Sequence, residues 1–388
     1  MNRLSKILTD EMLFVMYFWG FTLLRPILQR YESFSTHILF VYALVILSIS
    51  LILRFRSSIV IHSYILLFGV VCILLCDLLF RPNEYITKYI YEFIIYGIIP
   101  VHLISQITDT KKLLKLYTFV SLFSFLLYFR DPLNGYVIFA DYMSFGFNLA
   151  VPAYFGLYIG RRFLSYKWLL VFEVVCLIEI IVFANRSSMI SIAVFWILIE
   201  LFCSRRSKKS RIKIVMALLC LAIGLFMLED ILSFLISILN MFGIFSYSLR
   251  RIQLSLMQGD WSYMFSGRLE IWKLAEGMIK ENYLIGSGTG AFQAKYAYYS
   301  HNLYYDIMVQ YGVFGMIGLI GLIIKSFIKM LKQQNFYSVL LGVFLFSLWF
   351  PKLFFSLYIF KDIGIWCFLS YGFLSFNNKT FDKKINIL

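Results

Sequence analysis

The sequence predicts an all-α polytopic membrane protein of about 12 transmembrane helices, with one long outer segment between the ninth and the tenth. Three observations carry that prediction. Of 388 residues, 61% are hydrophobic and only 15% charged, against roughly 45–50% and about 25% in soluble domains. The apolar residues fall in repeated runs near the length, about 20 residues, that a helix needs to cross a bilayer. The basic residues alternate between rich and poor connections, as loops on the two sides of a membrane do. The same composition excludes a soluble enzyme, a disordered chain and a disulfide scaffold, since six cysteines are ordinary at this length.

Taken in order, the runs place spans near 11–29, 37–53, 59–80, 89–108, 113–129 and 141–160, then 168–184, 187–203, 212–228, 303–324, 337–350 and 361–376. The first is too long for a signal-peptide core and lacks a small-residue cleavage site, so it reads as a retained span. With both termini in the cytoplasm, the inward segments carry 22 of the 36 basic residues, including Arg54 and Arg56, the run from Arg205 to Lys213, and the tail with Lys379, Lys383 and Lys384. The net charge of +15 therefore reads as membrane orientation, with no nucleic-acid partner. Three regions follow: a bundle of nine spans over 1–228, an outer segment over 229–302, and three spans with a cytoplasmic tail over 303–388. Residues 231–245 are apolar, but 15 residues at about 1.5 Å each fall short of a core of roughly 30 Å, so an interfacial helix is expected there. The halves are lopsided and show no repeat, which argues against a transporter of duplicated halves.

The long outer segment is where chemistry is sought, because long ordered connections are usually functional. Leu269, Trp272, Ala275 and Ile279 recur at helical spacing after a Ser266 N-cap, predicting an amphipathic helix over 267–281. Arg268 would lie in its first turn, where a cation opposes the helix dipole; a ligand explains it, as does simple solvation. Gly286, Gly288 and Gly290 lack the strand and helix of a dinucleotide fingerprint. They suit a tight loop offering amides to an anion, Gly288 at its centre, or plain loop punctuation. Of the four histidines, His37 falls at an interface and His62 and His102 inside spans, where structural roles are expected. His301 opens the tenth span, followed by Asn302, with Tyr305 and Asp306 within about a turn and a half, and a His of ordinary pKa, about 6.5, serves as base or donor.

Arg250 and Arg251 point either to a substrate or to anionic lipid. Asp77, Glu92, Glu173 and Glu179 lie within spans, where a charge needs a cavity or a partner such as Arg25. Cys72 and Cys76 lie one turn apart without a His partner and read as packing residues; no cluster has metal-ligand spacing. The glycines at 312, 315, 318 and 321 suggest close helix packing.

Four pieces together resemble the O-antigen polymerase and O-antigen ligase superfamily of bacterial envelope glycan assembly. They are Ser266-Gly267-Arg268 with Trp272, the Gly-x-Gly-x-Gly turn at 286–290, His301-Asn302 followed by Gly312 and Gly315, and the turn Ala184-Asn185-Arg186-Ser187-Ser188. The resemblance implies a bacterial inner-membrane glycosyltransferase with its active site on the outer face, working without metal or cofactor on undecaprenyl-diphosphate-linked oligosaccharide. Membrane lipid surrounds it, and a chain-length regulator and a flippase are the protein partners it implies. His301 and Arg268 are then the catalytic candidates. Arg186, Arg250, Arg251, Asn302, Tyr305, Asp306 and Gly288 are the substrate-binding ones. A Wzy-type polymerase of O-antigen or capsule is the first reading, a ligase moving finished polymer to lipid A core or protein the second, and a lipid-linked oligosaccharide flippase or other transporter the third.

Overall fold

The computed structural model describes residues 8–28, 32–54, 61–128, 143, 145–203, 212, 227–259 and 267–374. Among the described residues every regular element is helical. Helices α1 (Asp10–Leu28), α2 (Glu32–Arg54) and α3 (Ile61–Phe80) occupy the first three apolar runs. The fourth run is a broken helix: α4 (Ile86–Phe93), a π turn at Ile94–Ile98 and α5 (Ile99–Ser105). After α6 (Thr110–Tyr128), a second π turn at Phe145–Ala150 leads into α7 (Val151–Phe163). Each π turn ends just before a proline, Pro100 or Pro152. Proline has no N–H for the preceding carbonyls and its ring crowds them, so the ladder loosens one turn ahead of it.

Helices α8 (Leu170–Phe183) and α9 (Arg186–Leu198) follow, and the ninth predicted span, 212–228, lies almost wholly outside the described residues. The next segment holds α10 (Leu228–Met241), α11 (Tyr247–Gln258), α12 (Arg268–Glu281) and α13 (Ala291–Tyr296). The chain then forms α14 (Leu303–Leu331), α15 (Phe336–Phe355) and α16 (Ile363–Tyr371). Among the described residues, α14 and α15 are the two helices long and apolar enough to cross a membrane by themselves. Helix α16 is shorter than the run 361–376 suggests. The Asp362 side chain caps it by accepting from Ile365 N at 2.9 Å, and Gly372 stands at its C-cap.

The core is aromatic and lies where α1, α6, α7, α9 and α15 meet, with Tyr117 against Phe344 (ring centroids 4.7 Å apart) and Phe155 stacked on Phe195 (4.0 Å). The outward faces of α2 and α3 are apolar too: Phe68 is 70% exposed and Phe80 is 80% exposed. A surface of that kind suits lipid rather than water.

Three of the four buried carboxylates find partners other than Arg25, whose side chain lies outside the described part. Asp77 accepts from Thr289 N (2.8 Å) and Thr289 Oγ1 (2.6 Å). Glu173 is held by Arg161 through two contacts, Nε at 2.5 Å and Nη2 at 3.0 Å. Glu92 accepts from the Tyr358 hydroxyl. Glu179 is buried in α8. His102 is bracketed by Ser50 Oγ and Tyr64 OH, a structural setting; the side chains of His37 and His62 lie outside the described part.

The stretch 231–245, expected as an interfacial helix, forms α10 and the turn after it. It buries Leu232 and Ile236 against Leu249 of α11 and leaves Met241 and Phe242 exposed. Helix α11 docks on the bundle through serines. Ser246 Oγ donates to Val182 O at 2.5 Å and Ser248 Oγ to Ala184 O at 2.7 Å, satisfying carbonyls that the end of α8 leaves open.

Candidate active site

His301 sits at the head of α14 in a backbone conformation few side chains take, with φ of 56°. Four contacts hold it there. Trp272 of α12 donates its indole N–H to Ser300 O at 3.1 Å, and its ring stacks on Tyr305 with centroids 5.6 Å apart. Tyr299 lies 4.0 Å from the His301 ring, centroid to centroid, and donates its hydroxyl to Ser356 O at 3.1 Å. Helix α12 is fixed in turn by Ala275, Met278 and Ile279, which pack on Met308 and Val309 of α14.

The electrostatics of His301 follow from this seat. Burial and then the nearby Arg268 guanidinium push its pKa down to about 4, against a raising backbone hydrogen bond at Ser356. Both effects disfavour a second proton, so the ring is neutral at physiological pH. Its Nδ1 is buried and has no hydrogen-bond partner among the described residues. Arg268, in the first turn of α12, therefore acts on His301 through space. The expected Ser266 cap lies outside the described residues. The N-cap position is Gly267, in the left-handed conformation with no side-chain cap.

Two sequence expectations are overturned by one feature. The glycine loop does not hold its amides open for an anion; it is inserted into the ladder of α14. Val309 O and Gln310 O would normally receive the N–H groups of residues 313 and 314. Instead they receive Ser287 N (2.7 Å) and Gly288 N (2.9 Å), while Val313 N turns to Tyr283 O (3.0 Å) and Phe314 N to Leu284 O (3.2 Å). Gly286 N bonds Asn282 O, Thr289 N bonds Asp77, and Gly290 N bonds Gln310 Oε1. Gly312 opens the ladder with φ 61° and ψ −158°, so it is a break and not a packing glycine. Gly318 and Gly321 have nothing within 4 Å of a built Cβ among the described residues, so no described helix packs closely on them.

The far side of the loop is held by the end of α3. Arg81 Nη1 donates to Gly286 O at 3.1 Å and Asn83 Nδ2 to Thr289 O at 2.8 Å, beside the Asp77 contacts. Along α3 and α14 runs an apolar groove of about 750 Å³, with Cys72, Cys76, Gly315 and Gly318 on its walls. The two cysteines therefore line a groove instead of packing in the core.

The remaining candidates divide. Asn302 caps α14, accepting from Tyr304 N at 2.8 Å. Tyr305 donates to Glu276 at 2.9 Å. Asp306 is buried, accepting from Gln310 Nε2 at 2.6 Å and Ile359 N at 3.5 Å, so it braces the helix instead of facing a ligand. Arg250 donates to Asn240 at 2.6 Å and lies over Phe245, and Arg251 lies over Tyr247, contacts that pin the α10–α11 hairpin. Arg186 is half-buried at the start of α9, behind the Asn185 cap that accepts from Ser188 N at 3.0 Å. The contacts thus join His301 with Arg268 and Trp272 in one cluster, and tie the start of α11 to the turn before Arg186 in another.

Sequence reasoning missed the connection between α15 and α16. It brings Ser356 and Tyr358 near His301, along with Lys352 paired to Asp362 at 3.0 Å, and Lys361. The available signal was Lys352, Lys361 and Asp362 inside an apolar stretch, where charges rarely stand without a role.

Among the described residues the chain is a helical bundle with an apolar outer surface and a neutral histidine beside an arginine at one end, features compatible with a membrane protein. Residues 171–320 match the family model described as O-antigen ligase, and that match supports the resemblance to the O-antigen polymerase and ligase superfamily. That segment contains Arg186, Arg250, Arg251, Arg268, His301 and the joint at Gly312. Members of this family are membrane glycosyltransferase-like enzymes acting in O-antigen biosynthesis. No curated protein and no solved structure matches the chain.

Proposed function

We propose that the protein is a glycan polymerase on the outer face of the bacterial inner membrane. It transfers a growing glycan from undecaprenyl diphosphate onto the non-reducing end of a lipid-linked repeat unit. One observation carries the proposal: His301, neutral and with an open Nδ1, is held in a strained backbone conformation beside Arg268.

In the reaction a hydroxyl of the acceptor sugar attacks the anomeric carbon of the donor. The new C–O bond forms as the bond from that carbon to the diphosphate oxygen breaks. The hydroxyl proton passes to His301, and the electron pair leaves on the diphosphate. Arg268 meets the charge that grows there, and guanidinium geometry suits phosphate. The two roles support each other. A bound diphosphate offsets the Arg268 charge that depresses His301, so the base strengthens when donor is present. Arg186 on the α8–α9 turn, and Arg250 and Arg251 beside it, are further phosphate contacts in this reading.

The description of the matching family favours a second reading, a ligase that moves finished polymer to lipid A core or protein. Glycan ladders of a host lacking the gene separate the two. Single-repeat glycans on the core mean a polymerase, long polymer held on the carrier lipid means a ligase. If Arg268→Ala and His301→Ala both restore a wild-type ladder at normal expression, neither reading stands.

A further inference from the structure

Beside Tyr299, which packs on His301, the bundle holds a half-open chamber of about 340 Å³, at the lower end of pockets that take small organic ligands, about 300–1,000 Å³. Its walls come from α1, the first π turn, the approach to α7, and the α15–α16 connection. We infer that this chamber is a saccharide subsite that seats the terminal sugar of the acceptor, with one hydroxyl presented to His301. The inference rests on the glycosyl-transfer reading and names the substrate group that this part of the site takes.

Four features of the chamber argue for a sugar. First, Phe18, Phe21, Tyr96 and Tyr299 give it aromatic faces, whose negative π clouds attract the polarised C–H edges of a pyranose ring. Second, Ser356 lines it with a hydroxyl that is buried, in a residue only 9% exposed, and that has no hydrogen-bond partner among the described residues. A buried orphan of this kind costs stability unless a ligand or water meets it. Third, donors and acceptors are mixed. Lys352 donates to Asp362 at 3.0 Å, and Lys361 stands within electrostatic reach of Glu92.

On the wall Lys352 is paired with Asp362, and Lys361 interacts with Glu92, which is not itself part of the lining; a diphosphate offers only acceptors and would be repelled by Asp362. A sugar hydroxyl both donates and accepts, so it satisfies both signs. Fourth, the chamber adjoins the base. Tyr299 touches the His301 ring and bonds Ser356 O, so the wall of the chamber and the seat of the histidine are one piece.

The test uses the full-length protein in nanodiscs and two probes. One is the oligosaccharide released by mild acid from the host's own carrier lipid, which keeps the native terminal sugar and lacks both lipid and diphosphate. The other is undecaprenyl phosphate, which lacks sugar. The variants are chosen to keep the fold. Ser356→Ala removes an oxygen that bonds nothing among the described residues. Asp362→Asn keeps an N-cap for α16, since asparagine caps as well as aspartate does. Calorimetric titration is expected to show oligosaccharide binding weakened about fivefold by Ser356→Ala, the worth of one neutral hydrogen bond of about 1 kcal/mol. Asp362→Asn is expected to weaken it more than tenfold, and both variants should leave undecaprenyl phosphate binding unchanged.

The inference is overturned if the wild type fails to bind the oligosaccharide, if both variants bind it as wild type does, or if the variants lose undecaprenyl phosphate instead. The glycan ladder of His301→Ala in the same host judges the glycosyl-transfer reading separately. A ladder that responds to His301 while the titrations fail removes the chamber and keeps the enzyme.

Discussion

Replacing Gly312 by alanine tests the joint at which the glycine loop enters α14. A Cβ there would stand 2.4 Å from Leu284 O and 2.7 Å from Gly286 N, both main-chain atoms that cannot swing aside. The backbone region it occupies is open essentially to glycine alone, at a cost of about 1–3 kcal/mol for another residue. Clearing the clash requires residues 283–286 to withdraw. That breaks the bonds from Val313 N to Tyr283 O and from Phe314 N to Leu284 O, each worth about 1 kcal/mol. The joint should therefore lose roughly 3–5 kcal/mol. Gly318→Ala is the matched control: six residues further along the same helix, nothing lies within 4 Å of the added methyl, and alanine gains about 1 kcal/mol of helix propensity. Fluorescence-detected gel filtration after heating, in nanodiscs, should show Gly312→Ala melting well below wild type and Gly318→Ala at or above it. If the two variants melt together, the inserted loop is not what holds this end of α14.

Three further predictions follow from the site. Arg268→Gln removes a charge that lowers the His301 pKa, so the ring's titration midpoint in an NMR experiment should rise from about 4; an unmoved midpoint would show that the two groups do not interact. Thr289→Val leaves Asp77 short of a 2.6 Å hydrogen bond and Tyr311 short of one at 2.8 Å. It should cost about 1–3 kcal/mol in thermal unfolding, with Thr289→Ser restoring most of it, and an equal loss in both variants would point to the methyl instead. Trp272→Phe keeps the ring against Tyr305 but loses the 3.1 Å bond to Ser300 O. Transfer measured by ladder density over time should slow several-fold at normal expression, and an unchanged rate would mean the tether does not set the position of His301.

The helical layout was legible in the sequence wherever apolar runs and caps decide it. The described helices lie on eleven of the predicted runs, and α12 begins one residue from its expected start. That agreement has a simple cause: run length and helix-end chemistry are local properties. His301 and Arg268 stood out singly as candidates in the sequence, and their closeness came only with the structure. The glycines were misread because their role depends on a partner segment more than 20 residues away in sequence. Nothing near Gly288 announces that its amide will meet Gln310 O. The lysines and Ser356 near the histidine were missed for the same reason. They become a chamber only when α1, the first π turn and the α15–α16 connection are brought to one place.

The joint between loop and α14 has a further consequence for how such a chain can change over time. Its four hydrogen bonds run from main chain to main chain, so they make no demand on the side chains of residues 283, 284, 287, 309, 310, 313 or 314. The positions fixed by the geometry are glycines: Gly286, Gly288, Gly290 and Gly312 have positive φ, and a Cβ at Gly315 would stand 2.2 Å from Tyr311 Cβ. A saturation library across 282–316 should therefore accept wide variation except at those glycines and at side chains such as Thr289 and Gln310 that carry contacts of their own. A short set of spaced glycines would be almost the whole written trace of the joint, and a relative could keep the architecture while sharing little else.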